Sequence, residues 1–387
     1  PNNLRKNPFG MLPMWGFGVL SKLLVFKKYP QEGVPMLTVA HRIDRRRFGA
    51  LVAAAGGVMA ALTVPARAQS RPDKGRVVIA AAGKSSLYYL PLTLAYQLGY
   101  FKAQGLDVEW LDVPDESRAA QALTTGAADV AAAPFENTLM LQSKGQAVRA
   151  FVLAGRAPQI ALGVSLRTLS SFNGMQDLRG KTIGIDSLGS SCHVLTALVL
   201  ARARMTPADV NFASVGTGSD ALAALRTGQI DALAGTDPAM TMLEHKGDVR
   251  IVTDTRSLRG SQQLFGGPMP AACLYAPTEF VQKQTATCQA LAHAVVHSLK
   301  WLQTAGPSDL IKTVPEAYML GDRALYLSAF NKVREAFALD GVMPEEGPRN
   351  ALAAVAAFDA SIAASKIDLG KAFTNEYALK AKVRFKA

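Results

Sequence analysis

Two stretches decide the fold. The first is Asp107-Val108, then Ser117, Leu123 and the string Thr125-Gly126-Ala127-Ala128-Asp129. The second is Asp209-Val210, then Ser219, Leu225 and Thr227-Gly228-Gln229-Ile230-Asp231, every landmark displaced by 102 residues. Upstream the likeness continues with a slip of a few residues. The apolar run Val77–Ala82 leads into Gly83-Lys84-Ser85-Ser86, and Thr182–Ile185 leads into Gly189-Ser190-Ser191. Solenoid repeats recur every 20–50 residues or so. An echo at this longer spacing points instead to two α/β lobes, and two facing lobes enclose a cleft.

Each copy reads as alternating strands and helices, which predicts parallel sheets covered by helices. Strands are expected at 77–82, 106–111, 128–132 and 148–154, and again at 182–186, 210–215, 230–233 and 249–253. Ser117 is the expected N-cap of a helix over 117–124. The chain is expected to cross between lobes near 159–166 and 258–273. Lobe I then comprises 72–160 plus 268–387, and lobe II comprises 161–267. After a strand at 271–275 the tail turns helical (280–303, 310–319, 323–338, 350–364), and these helices are expected to pack on the first lobe.

The chain has 387 residues and a formal charge of +12. Position removes the nucleic-acid reading that this charge invites. Residues 1–68 hold ten Lys/Arg and two Asp/Glu, so most of the excess lies in the leader. The rest of the chain carries interspersed charges of both signs, the mark of a solvated mixed surface. Within the leader, Asp44-Arg45-Arg46-Arg47-Phe48-Gly49 matches a twin-arginine export signal. The uncharged stretch 50–64 and Ala66-Arg67-Ala68 follow as apolar region and cleavage site, which predicts residues 36–68 to be a signal peptide and the product periplasmic. Residues 1–35 are expected to be an upstream extension, with Met36 the natural start.

In open α/β sheets, ligands bind at the carboxyl ends of strands. Those ends carry Ser85-Ser86 in one lobe and Ser190-Ser191 in the other, each opening a helix whose free N–H groups suit an anion. Capping alone is the commoner role of any one such Ser; two matched pairs favour ligand contact. Asn137 and Thr236, after the next strands, are candidate hydrogen-bonding groups. Their neighbours Glu136 and Asp237 either cap helices or bind a cationic group. Arg156 offers a bidentate anion contact, and Tyr88, Tyr89 and Phe135 an apolar floor.

The catalytic lookalikes are weak. Cys192 and His193 are adjacent on a helix and so point apart, although Cys192 remains a cleft candidate. Gly216-Thr217-Gly218-Ser219-Asp220-Ala221 resembles a dinucleotide fingerprint. Its sister loop, Val113-Pro114-Asp115-Glu116-Ser117, has no Gly and fills the same place, so a tight turn into a capped helix explains both; Thr217 stays a ligand candidate. No Cys/His spacing suggests a zinc site, no cofactor is expected, and the separation of Cys273 and Cys288 leaves a disulfide open.

The order of Gly99-Tyr100-Phe101, Gly105-Leu106-Asp107-Val108, Asp177-Leu178-Arg179-Gly180-Lys181-Thr182-Ile183-Gly184-Ile185, Ala224-Leu225-Arg226-Thr227-Gly228-Gln229-Ile230-Asp231-Ala232 and Phe373-Thr374-Asn375-Glu376-Tyr377 resembles nitrate/sulfonate/taurine-type (NMT1/THI5-like) periplasmic receptors of ABC importers. The resemblance spans residues 75–382. It implies a type II periplasmic-binding fold, two α/β lobes joined by a double crossover hinge. It also implies a monomer that delivers its ligand to an inner-membrane permease with a cytoplasmic ATPase; the leader, read separately, implies passage through the twin-arginine machinery. Ser85, Ser86, Asn137, Ser190, Ser191 and Thr236 are its implied cleft residues. The helix starts and slight positive charge favour a small anion such as a sulfonate, carboxylate or nitrate, while the same hydroxyls suit a neutral pyrimidine. The rival readings are an enzyme on this fold, of the thiamine-pyrimidine or menaquinone-pathway type, and a sensor for a membrane regulator.

Overall fold

The computed structural model describes residues 71–387. The expected upstream extension and the signal peptide lie outside the described residues. Among the described residues, ten strands form two five-stranded sheets. The first contains β1 (Arg76–Ala82), β2 (Asp107–Val113), β3 (Val130–Pro134), β4 (Val148–Leu153) and β10 (Ala272–Pro277). The second contains β5 (Ile160–Ser165), β6 (Thr182–Ile185), β7 (Asn211–Ser214), β8 (Ala232–Thr236) and β9 (Val249–Asp254).

The strand orders are β2-β1-β3-β10-β4 and β7-β6-β8-β5-β9. They superimpose as patterns: β6 to β9 take the places of β1 to β4, and one further strand is inserted in the fourth position. The inserted strands, β10 and β5, run antiparallel to both neighbours. The sheets are therefore mixed rather than parallel. The physical reason is the crossing: β5 and β10 each arrive from the other sheet and enter from the opposite end.

The 102-residue repeat now has a mechanical meaning. Gly126 and Gly228 both adopt left-handed backbone (φ +78° and +82°) just past the helices Glu116–Thr124 and Ser219–Thr227. The Asp three residues later then braces the leading strand. Asp129 accepts from the Val78 N–H at 3.0 Å and donates its own N–H to the Val78 carbonyl at 2.9 Å. Asp231 does the same to Thr182, at 3.0 and 2.7 Å. The signature holds the lower ends of the sheets, away from the strand carboxyl ends. Ser117 does not cap its helix; Asp115 does, accepting from the Arg118 N–H at 2.9 Å.

The cores follow the strand period of two. In β5, Ile160, Leu162 and Val164 pack on one face with Ile183, Leu195 and Leu200, while Ala161 faces Leu225, Leu233, Met240 and Leu243. In the first sheet, β3 and most of β10 are buried on both faces, under Phe151, Leu291, Val295 and Phe330 among others.

Two segments cross between the sheets. The first runs through 154–159; Ile160–Ser165, expected within the crossing, is already strand β5. The second runs through 255–271. The segments are hydrogen-bonded side by side, with Gln159 N–H to Thr255 carbonyl at 3.2 Å and Ala271 N–H to Gly155 carbonyl at 2.9 Å. The tail departs from expectation by straddling. Helix Thr285–Thr304 packs on the first lobe, against Leu90–Gln97. Helix Gly347–Phe358 packs on Glu136–Ser143 of the first and on Ser191–Arg202 of the second. Lys332 reaches Glu244 of the second lobe at 2.6 Å.

Candidate functional site

Strand β1 ends at Ala82, and the chain turns through Gly83 in left-handed backbone (φ +69°). A Cβ here would lie 2.6 Å from Thr217 Oγ1, so the second lobe's loop approaches closely only because this residue is glycine. Ser86, extended at φ −66° and ψ 139°, caps the short helix Leu87–Tyr89 by accepting from the Tyr88 N–H at 3.2 Å. Its Oγ also lies 2.9 Å from Thr236 Oγ1 and donates to the Asp237 carbonyl at 3.2 Å. The Leu87 N–H meets the same carbonyl at 2.8 Å. The end of β1 is thus pinned to the end of β8.

On the other side, β6 ends at Ile185 and Ser190 caps helix Ser191–Arg202, its Oγ accepting from the His193 N–H at 3.4 Å. Ser191 reaches across the cleft. Its N–H donates to Glu116 Oε2 at 3.1 Å, and its hydroxyl donates to Glu136 Oε1 at 2.7 Å. The Glu116 N–H in turn donates to Asp186 Oδ2 at 3.2 Å. The helix start that was expected to receive an anionic ligand is therefore filled by the protein's own carboxylates.

Three carboxylates thus gather in the cleft. Burial pushes Asp186 up to about 7. Burial, with Asp186 and Glu136 nearby, holds Glu116 well above the usual carboxylate range, and burial raises Glu136 as well. Desolvation disfavours the charged form of each. Asp237 differs: it is buried and raised by desolvation, but Arg256 stands 3.6 Å away and is itself buried among Asp254 (2.6 Å) and Glu244 (3.1 Å).

Between these contacts lies a cavity of about 80 Å³. A single water needs roughly 10–15 Å³ on this measure, so the room suits a compact molecule. Of the sequence candidates, Ser85, Ser86, Tyr88, Tyr89, Ser191, Cys192, Thr217, Thr236 and Asp237 line it, together with Glu116 and Asp186. No Lys or Arg is among the lining residues. Asn137 and Ser190 line a neighbouring hollow of about 280 Å³, on the far side of Glu116. Arg156 lines neither. It sits at the crossing, its N–H on the Ala336 carbonyl at 2.7 Å and its Nε on the Glu335 carbonyl at 2.9 Å.

Glu116 and Asp186 are the site residues that sequence reasoning missed. The available signal was an acidic residue at each of two strand ends, in Asp115-Glu116 and in Ile185-Asp186. Glu136, a candidate cap or cation-binding group, meets the helix start of Ser191 with its carboxylate.

The Cys192 thiol is pushed well above its ordinary range by burial and by Asp186 and Glu116, which disfavours a thiolate nucleophile. His193 Nδ1 accepts from the Gly189 N–H at 3.0 Å, and its ring packs edge-on against Phe212 and Phe358. Cys273 and Cys288 are buried free thiols, so the disulfide left open by the sequence is not formed. Gly218 opens helix Ser219–Thr227 at φ +81°, and Asp115 opens the sister helix with a side-chain cap. Among the described residues, no group of three His, Cys, Asp or Glu is arranged to hold a metal ion.

The comparisons with known proteins agree with this architecture. A protein of Bordetella bronchiseptica RB50 is 47% identical over 82% of this chain and 100% of its own, with a TM-score of 0.80. The alkanesulfonate-binding protein SsuA of Xanthomonas axonopodis pv. citri, bound to MOPS, gives a TM-score of 0.63 at 20% identity, covering 78% of this chain and 99% of its own. The nitrate-binding protein NrtA of Synechocystis PCC 6803 gives 0.65 at 11% identity, covering 81% and 90%. These two establish a shared fold, that of two-lobed periplasmic binding proteins. No match was found among curated proteins. The NMT1/THI5-like family profile matches residues 86–305, more than half of the sequence, and the chain belongs to the NMT1/THI5-like family.

Proposed function

We propose that this protein is an exported solute-binding receptor. It closes two lobes on a compact polar ligand and delivers it to the permease of an ABC importer. One observation carries the reading: the cavity lies where the strand carboxyl ends of two matched sheets meet, and the sheets are joined by a pair of crossing segments. Such an arrangement supports an open–closed equilibrium that a ligand touching both lobes would bias. The family membership and the sulfonate- and nitrate-binding proteins of the same fold support it further. The raised Cys192 thiol and the engaged His193 ring favour binding over catalysis. Within this reading Ser85, Ser86, Thr217 and Thr236 contact the ligand, Tyr88 walls the pocket, and the twin-arginine signal sends the protein to the periplasm as a monomer.

The test is a thermal-shift screen of the protein against sulfonates, carboxylates, nitrate, pyrimidines and amines, followed by uptake assays in a deletion strain. A ligand that binds only the folded state raises the melting temperature, and the strain should fail to import that compound. Unimpaired uptake of every compound that binds would refute the receptor reading.

A further inference from the structure

The receptor reading leaves the ligand's chemistry open, and the cleft itself carries an answer that rests on that reading. Asp186 is 5% exposed and Glu136 is 3% exposed, yet each keeps one carboxylate oxygen without a hydrogen-bond donor, Oδ1 of Asp186 and Oε2 of Glu136. Buried polar atoms are rarely left so. Asp186 lines the cavity together with Glu116, Ser86 and Thr236, whereas Glu136 does not line it. Asp186 Oδ2, Glu116 Oε2 and Glu136 Oε1 are already used between the lobes, by the Glu116 N–H and by Ser191. Arg256, the buried cation of this region, is spent on Asp237, Asp254 and Glu244.

The cavity therefore offers acceptors, partial negative charge and no lining cation. An anion placed there would meet no lining Lys or Arg and would oppose the ionisation of Asp186, which burial already disfavours. A donor-bearing cation would satisfy the orphaned Asp186 oxygen with a charge-assisted hydrogen bond. The apolar remainder of the wall (Ile160, Cys192, Leu233 and Met240) suits a small carbon skeleton.

We infer that the cleft binds a compact organic cation with N–H donors, a primary ammonium or amidinium, held by Asp186 and Glu116, rather than a sulfonate or nitrate.

The experiment uses calorimetric titration of the protein with acetamidinium and propylammonium, against methanesulfonate, nitrate and neutral acetamide as matched controls. The cations should bind and the anions should not. Asp186→Asn should weaken cation binding by about tenfold to a hundredfold, the range for losing one hydrogen bond to a charged group. Circular dichroism of the variant checks that it folds. Independently of any variant, cation binding to the wild type near pH 7 should release protons, read from buffers of different ionisation enthalpy, because the bound cation favours ionised Asp186. Tight binding of methanesulfonate or nitrate with no response to the cations would overturn this inference and leave the receptor reading standing. Absence of binding by any probe, with uptake intact in the deletion strain, would overturn both.

Discussion

Replacing Asp186 by Asn should make the ligand-free protein more stable at neutral pH, and the size of the effect follows from burial. Burial lifts this carboxyl from its ordinary 3.8 to about 7. The gap is about three pH units, each worth ~1.4 kcal/mol. Between those two values the folded protein holds a proton that the unfolded chain has released. Stability therefore falls as pH rises through about 4 to 7 and is lowest above the folded value. The full cost to the native state is ~4 kcal/mol. Asn has no charge to desolvate and still offers an oxygen to the Glu116 N–H, now 3.2 Å from Asp186 Oδ2. In urea unfolding of both proteins without ligand, the advantage of the variant should be small near pH 4. It should grow to ~2–4 kcal/mol near pH 8. Parallel pH profiles for the two proteins would refute the reasoning, because Asp186 would then titrate alike in the folded and unfolded states.

Other expectations are sharper in direction than in size. Gly83→Ala puts a Cβ 2.6 Å from Thr217 Oγ1 and forces an L residue into left-handed backbone. It should shift small-angle scattering toward an open form and weaken ligand binding, and Thr217→Ala in the same chain should restore closure although the ~1–3 kcal/mol backbone strain remains. Arg256→Met strips the counter-charge from buried Asp237 and should lower unfolding free energy by ~3–5 kcal/mol in urea; a loss below ~1 kcal/mol would show that Asp237 is neutral in the folded state. Ser190→Ala should cost ~1 kcal/mol of stability, the usual value of a lost cap, and leave ligand affinity unchanged. Ser191→Ala should instead change affinity and closure, since it severs the 2.7 Å bond to Glu136 across the cleft.

The sequence carried the two-lobed plan because the repeat is a strong local signal. Thr-Gly-x-x-Asp marks a helix end, a left-handed residue and a strand brace in both halves, all within a few residues of one another. The strand directions were less legible. β5 and β10 are short apolar runs like their neighbours, and their antiparallel sense is set by the route of the crossing segments. The helix starts at Ser85-Ser86 and Ser190-Ser191 were found at the strand ends where they were sought. Their partners were not legible, because Ser86 meets Thr236, and Ser191 meets Glu116 and Glu136, only when the halves come together. The same distance in sequence hid the acidic character of the cavity. Glu116 reads as a helix-capping neighbour and Asp186 as a strand end until the fold sets the Glu116 N–H 3.2 Å from Asp186 Oδ2. Arg156 shows the converse: a plausible anion ligand by position, it sits at the crossing with its Nε on the Glu335 carbonyl and does not line the cavity.

The insertion of β10 between β3 and β4 orders events in time as well as in space. A chain emerging from its N-terminus makes β1 to β4 first, but the slot between β3 and β4 stays empty until every strand of the second sheet has been synthesised. The second sheet needs no such latecomer, since β5 to β9 are contiguous in the sequence. The nascent first lobe must therefore wait with two strand edges bare, a template for pairing with other chains. Its long-range closure is the slow, high-contact-order step. A chain severed after β9 would keep a complete second sheet and an unfinished first one, and the binding cleft would be among the last parts of the molecule to exist.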